Sequence, residues 1–176
     1  MRLFIGISVP AELHDYCDKL QRQFSGIKKT EEYHLTLQFL GDGIGELFLP
    51  RITEALKSIK FKPFEIRLGR ARRFPNEHRP NGVWIDCDGG EALRDLAERI
   101  RKAMDKIGFK PDKPFLAHIT LGRYKEPLAP KGGTRPQMVR ESAYENHSFR
   151  VDRFFLMESH LAQEGATYKT LAELPA

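Results

Sequence analysis

Apolar residues recur along this chain with two periods. In "LFIGISV" (3 to 9) they form a short, nearly continuous run that stops at Pro10, which reads as a strand. In "PAELHDYCDKLQRQF" (10 to 24), Leu13, Tyr16, Cys17, Leu20 and Phe24 fall three or four apart, the stripe of a helix with Pro10 at its start. Alternation returns in "HLTLQFL" (34 to 40), a second helix is expected through "LPRITEALKSIK" (49 to 60), and "PFEIRLGRARRF" (63 to 74) reads as a strand. Two prolines, two asparagines and a glycine mark "PNEHRPNG" (75 to 82) as a loop. Beyond it come a strand "GVWIDCD" (82 to 88), a helix "GEALRDLAERIRKAMDKIG" (90 to 108), strands "FLAHITLGRY" (115 to 124) and "SFRVDRFFLMES" (148 to 159), and a closing strand in "YKTLAELPA" (168 to 176).

The order of elements therefore runs twice. His34 and His118 lie 84 residues apart and Phe64 and Phe149 lie 85 apart, two anchors that agree within one residue and point to an internal duplication. The correspondence fails where "KEPLAPKGGTRPQMVRESAYENH" (125 to 147), rich in Pro, Gly and basic residues, reads as a long loop of the functional or mobile kind. The expected fold is α+β and bilobal, a single domain spanning 1–176. Two pseudo-symmetric lobes, about 1–80 and 81–176, each carry an antiparallel sheet with helices on the outer face, and a central cleft separates them. Exchange of the termini between lobes is left open.

Composition narrows the class without naming a function. The chain has 176 residues, 40% hydrophobic and 30% charged, with 12 phenylalanines, as in a soluble globular protein. A net charge of +5 leans toward polyanionic partners but is equally a solubility device. The N-terminal apolar run is too short for a signal peptide, and no stretch approaches the roughly 18 apolar residues of a membrane span, so membrane insertion is not expected. Cys17 and Cys87 stand in unrelated segments, neither a disulfide framework nor a zinc site, which suits a reducing cytoplasm.

Candidate chemistry sits in "HLTL" and "HITL". Strand alternation puts His34 with Thr36 on one face and Leu35 with Leu37 on the other, and divides His118 and Thr120 from Ile119 and Leu121 in the same way. If the polar faces meet around a twofold, two imidazoles and two hydroxyls converge. Sealed in a dry core without partners, each such group would cost about 1–3 kcal/mol, which a wet cleft avoids. Two groups titrating near neutrality serve as general base and general acid on opposite sides of a phosphodiester, and the hydroxyls can hold anionic oxygens. Arg123 is read as joining the face of His118 and Thr120. One His-x-Thr is ordinarily a satisfied structural histidine; two, in matching contexts at one offset, are a site. Two histidines supply too few ligands for zinc, so no metal is expected. His14, His78, His147 and His160 are assigned to the surface, with His78 and His147 in loops that could border the cleft.

At these residues the chain resembles the two-histidine phosphoesterase superfamily, specifically the bacterial and archaeal RNA 2',3'-cyclic phosphodiesterases, also called 2'-5' RNA ligases. "HLTLQFLG" and "HITLGR" resemble the paired signatures, "MRLFIGISVP" the first strand, "GVWIDCDGGEALRDLAERI" the central strand and helix, and "LMESHLAQEGATYKTLAELP" the closing segment. The resemblance implies a metal- and cofactor-independent enzyme that opens a terminal 2',3'-cyclic phosphate on RNA to a 2'-phosphomonoester, in some members with reversible joining of tRNA halves. It makes His34 and His118 the acid and base pair, in unassigned order, and Thr36 and Thr120 the phosphate-contacting hydroxyls; a cytoplasmic monomer is expected. The chain departs from the family where Leu116 and Ala117 replace a basic residue and a proline before the second histidine. Arg72, Arg73 and Phe74 are further candidate RNA contacts, Phe74 by stacking on a base. Two alternatives stay open: a non-catalytic RNA-binding module, and a related phosphodiesterase acting on 2'-5' oligonucleotides or small cyclic phosphates.

Overall fold

The computed structural model describes residues 1–75, 80–111, 113–125, 147–161 and 166–176. Its strands are β1 (Leu3–Ser8), β2 (Ile27–Lys29), β3 (His34–Gly41), β4 (Phe64–Phe74), β5 (Gly82–Asp88), β6 (His118–Tyr124), β7 (Ser148–Val151), β8 (Arg153–Leu161) and β9 (Ala166–Pro175). The helices are α1 (His14–Gln21), α2 (Leu49–Lys57) and α3 (Gly90–Asp105). Most elements lie where periodicity puts them. The exceptions are β2, too short to show a pattern, and the stretch 148–159, which breaks at Asp152 into two strands. No described helix is long and apolar enough to cross a membrane.

Two sheets were expected, one per lobe; the strands instead form one antiparallel sheet in the order β7-β4-β5-β6-β3-β1-β8-β9, with β2 added beside β6. The halves join because β3 and β6 pair with each other at Leu35 and Ile119, so neither is left as an open edge. The duplication is visible in the register. Leu35 and Ile119 are themselves 84 residues apart, so the pair lies on a local pseudo-twofold axis. At the far end β4 pairs with β7 symmetrically about Glu65 and Arg150, which are 85 apart. Between these points the chain crosses over. β4, from the first half of the sequence, lies between β5 and β7, while β8 and β9, from the second half, extend the sheet beyond β1.

All three helices lie on the face that carries Leu35 and Ile119: α1 against β6, α3 against β3 and β4, and α2 against α3 and β9. α3 shows why this face closes, since its Leu93, Leu96, Ala97, Ile100 and Met104 recur every three or four residues and are all buried. Each large side chain so buried is worth about 1.5–3 kcal/mol. His34, Thr36, His118 and Thr120, of opposite parity to the core residues, are left half-buried on the other face.

Both histidine strands carry a β-bulge, again at equivalent residues. In β3 the register to β1 steps from Gln38 to Thr36, skipping Leu37; in β6 the register to β5 steps from Gly122 to Thr120, skipping Leu121. A bulge reverses the parity beyond it. Strict alternation from His118 would turn Arg123 toward the helices; the bulge at Leu121 returns it to the face of His118 and Thr120. The Leu121 carbonyl is caught by buried Gln21 of α1, whose Nε2 donates to it at 2.8 Å and to the Thr30 carbonyl at 2.8 Å. Gly122 is required because a Cβ there would stand 2.7 Å from the Lys28 carbonyl oxygen of β2.

Candidate active site

The register fixes the centre of the site. With Leu35 opposite Ile119 on antiparallel strands, His34 comes beside Thr120 and Thr36 beside His118, so all four polar side chains share one patch of the open face. Each ring is tethered in the same way. His118 Nδ1 lies 2.7 Å from the carbonyl oxygen of Leu116, and His34 is hydrogen-bonded to the backbone of Glu32, in each case two residues earlier. An Nδ1–H donated to a carbonyl leaves Nε2 of His118 as the free atom, a base when neutral and an acid when protonated.

Aromatic rings set the tilt of both imidazoles. His34 lies between Phe4, at 4.8 Å between centroids, and Tyr168 of β9, edge-on at 4.6 Å. Gly6 makes room for this, since a Cβ there would press within 3.2 Å of the Phe4 ring. His118 leans on Trp84 of β5 at 4.2 Å, and Trp84 on Phe74 at 3.7 Å. Periodicity reads Phe4 and Trp84 simply as strand residues, and nothing in the local sequence singles out Tyr168. The signal of Phe4 and Trp84 is positional, aromatics of the site face on the strands flanking each histidine strand, and Tyr168 reaches His34 from β9 at the edge of the sheet; all three are legible only once strand order is known.

The electrostatics follow from this packing. Burial pushes the His34 imidazole down to about 4, helped by the charges of His118 and Arg123 and opposed by the bond to Glu32. His118 is also lowered, by burial first and then by Arg123, while the Leu116 carbonyl and Asp86 act the other way. Tyr168 is raised by burial and by Glu32. Arg123, exposed on the same face, bears electrostatically on both histidines and on Tyr168.

The remaining candidates separate by face. Arg72 shares the site face and is bound to Asp86, its Nε donating to Oδ1 at 3.0 Å. Phe74 is on the same face, stacked against Trp84. Arg73 points the other way: it pairs in register with core residue Val83, donates to the Tyr124 hydroxyl at 3.1 Å and covers the Phe24 ring, so it supports the core and is not brought to the site. The reason is alternation, since residues 72 and 73 cannot share a face of β4. His14 is tied to the Val9 carbonyl, His147 stacks on Tyr16 and His160 lies beside Glu158. His78 and most of the long loop, 126–146, lie outside the described residues. Among the described residues no three His, Cys, Asp or Glu side chains are grouped to hold a metal ion.

Comparison with known proteins settles the lineage. Residues 9–163 match the 2'-5' RNA ligase superfamily. An RNA 2',3'-cyclic phosphodiesterase of Archaeoglobus fulgidus is 35% identical over 97% of this chain and 98% of its own length. The chain belongs to this superfamily, and within it to the RNA 2',3'-cyclic phosphodiesterase family. A protein of the same description from Aeropyrum pernix is 35% identical over 83% of each chain. Among solved structures, TT0787 of Thermus thermophilus superposes with a TM-score of 0.79 at 31% identity, covering 99% of this chain and 97% of that one. E. coli LigT complexed with 3'-AMP superposes with a TM-score of 0.78 at 25% identity, over 99% and 97%. Their shared α+β fold, a curled antiparallel sheet with three helices, is the fold of this family member.

Proposed function

We propose that this chain hydrolyses the terminal 2',3'-cyclic phosphate of RNA to a 2'-phosphomonoester by acid-base catalysis between His34 and His118. One observation carries the reading: the two His-x-Thr pairs meet about the Leu35–Ile119 pair on the helix-free face. One imidazole takes a proton from water as the water oxygen bonds to phosphorus. The other gives a proton to O3' as the phosphorus–O3' bond breaks. Thr36, Thr120 and Arg123 stand where the extra negative charge of the five-coordinate phosphorus develops. A ribose 5'-hydroxyl in place of water gives a 2'-5' linkage through the same geometry, so joining of tRNA halves uses the same groups. The imidazoles supply both proton transfers and Arg123 the cation, so the step is drawn without a metal or cofactor, on a monomer. Half-buried Phe74, stacked on Trp84, and half-buried Tyr168, beside His34, offer apolar surface on the site face for a terminal nucleoside.

The test is hydrolysis of a 2',3'-cyclic mononucleotide in EDTA, followed by phosphorus NMR. A 2'-phosphate product is expected, with His34→Ala and His118→Ala each slowed about 10²- to 10⁴-fold while still folded. Full activity in either variant would end the proposal. Salt-sensitive RNA binding without hydrolysis would make the protein a binding module instead. Parallel assays of 2'-5'-linked and 3',5'-cyclic substrates resolve the substrate class.

A further inference from the structure

We infer that Lys28 of β2, set opposite Arg123 on the site face, forms with it a binding site for a second phosphate, so that the substrate is an RNA chain with at least one phosphodiester beyond its cyclic end rather than a small cyclic phosphate. The inference rests on the phosphodiesterase reading above and narrows its substrate class.

β2 is only three residues long, yet it is firmly held. It pairs with β6 as Ile27 with Tyr124, Lys28 with Arg123 and Lys29 with Gly122. Buried Gln21 ties its end to β6 by donating to the Thr30 and Leu121 carbonyls, and the Thr30 N–H donates to the Leu121 carbonyl at 3.0 Å. Residues opposite one another on antiparallel strands share a face. Ile27 lies with buried Tyr124 against the core. Lys28 therefore falls with Arg123 on the face of the histidines, and it is the one side chain that β2 presents there.

Two cations placed directly opposite one another repel. Charges elsewhere on this face are arranged differently. His34 pairs with uncharged Ser8, and His118 with Asp86, whose carboxylate is held by Arg72. The equivalent of Arg123, 84 residues earlier, is Phe39, and the cation over its ring, Arg2, is bound to Asp42. Arg123 makes no ion pair among the described residues and faces Lys28 instead. An anion set between the two turns that repulsion into a pair of charge-assisted hydrogen bonds.

The ladder tells which phosphate this is. Thr120 and Arg123 pair on β5 with Trp84 and Gly82, two residues or roughly 7 Å apart. That is about the separation of neighbouring phosphates along a nucleic-acid strand. With the cyclic phosphate between the two His-x-Thr pairs, the Lys28–Arg123 pair stands one phosphate along the chain. No bond is made or broken there, and Lys28 acts through binding alone.

The experiment measures kcat/KM on three substrates: a 2',3'-cyclic mononucleotide, a dinucleotide ending in the same cyclic phosphate, and that dinucleotide with an uncharged methylphosphonate at its internal linkage. Wild type, Lys28→Gln and Lys28→Arg are compared. The wild type is expected to favour the charged dinucleotide over the other two by about tenfold, less at high salt. In Lys28→Gln that preference shrinks to about twofold or less, whereas Lys28→Arg, which keeps the charge, retains most of it. A preference unmoved by Lys28→Gln, one that survives the methylphosphonate, or an equal loss on all three substrates each overturns the inference. A wild type that hydrolyses none of them overturns the functional reading instead. The subsite is then read by calorimetry with the dinucleotide 2'-phosphate: weaker binding in Lys28→Gln, absent with the methylphosphonate form, upholds it, and equal binding by both proteins overturns it.

Discussion

A histidine held near 4 by burial between Phe4 and Tyr168 links the site to stability. The unfolded chain protonates it near the ordinary value of about 6.5, so between these limits the unfolded state binds the extra proton. The stabilisation is therefore complete above about pH 6.5 and is lost as pH falls toward 4. Urea midpoints measured across this window should decline, and the decline should flatten in His34→Gln. The hydroxyls give a second prediction at this scale. Thr36→Val and Thr120→Val keep the shape of the side chain, remove the donor and, lying half-buried on the site face, should fold normally while lowering kcat about 10- to 100-fold if they stabilise the transition state. Steady-state kinetics beside thermal melts separates the two effects. The four His-x-Thr residues were legible because their parity is local to each strand. The aromatic neighbours Phe4 and Trp84 were not, because their part in the site lies in which ring stands opposite them.

The bulged strands carry the next level of argument. Leu121 is the residue that turns Arg123 toward the face of His118 and Thr120, and Gly122 lets β2 close over the bulge. Gly122→Ala forces a methyl against the Lys28 carbonyl, at a cost of about 1–3 kcal/mol, and displaces Arg123, so stability and kcat should fall together. Gly45→Ala, at a position with nothing within 4 Å of the added atom, is the control and should stay within about 0.5 kcal/mol of wild type. Denaturant titration of both variants checks the pair. The Leu35–Ile119 pair is fully buried at the join of the two halves, and Leu35→Ala should cost about 2–5 kcal/mol. Strand and helix identities at this scale were readable from period. The bulges were not, because an inserted residue leaves an alternating pattern looking intact until its partner strand is known.

At the scale of the whole molecule, the crossing of β4 and β8 means that neither half of the sequence completes its own part of the sheet. The protein should therefore unfold in one step. Its sole tryptophan, Trp84, lies under His118, so fluorescence at the site and far-ultraviolet circular dichroism of the backbone should give coincident urea transitions. Two separated transitions would mean that the halves fold independently. The sequence by itself determined the doubled pattern of strands and helices, the repeat offset and the pairing of histidine with threonine on one strand face, because side-chain alternation and helical period depend only on neighbouring residues. Tertiary structure alone decided that the two repeats share one sheet, that Arg123 turns toward the site while Arg73 turns away, and that a carboxylate stands beside one histidine and a serine beside the other. Those choices depend on register between strands far apart in the chain, which backbone pairing and burial settle together only when the sheet forms.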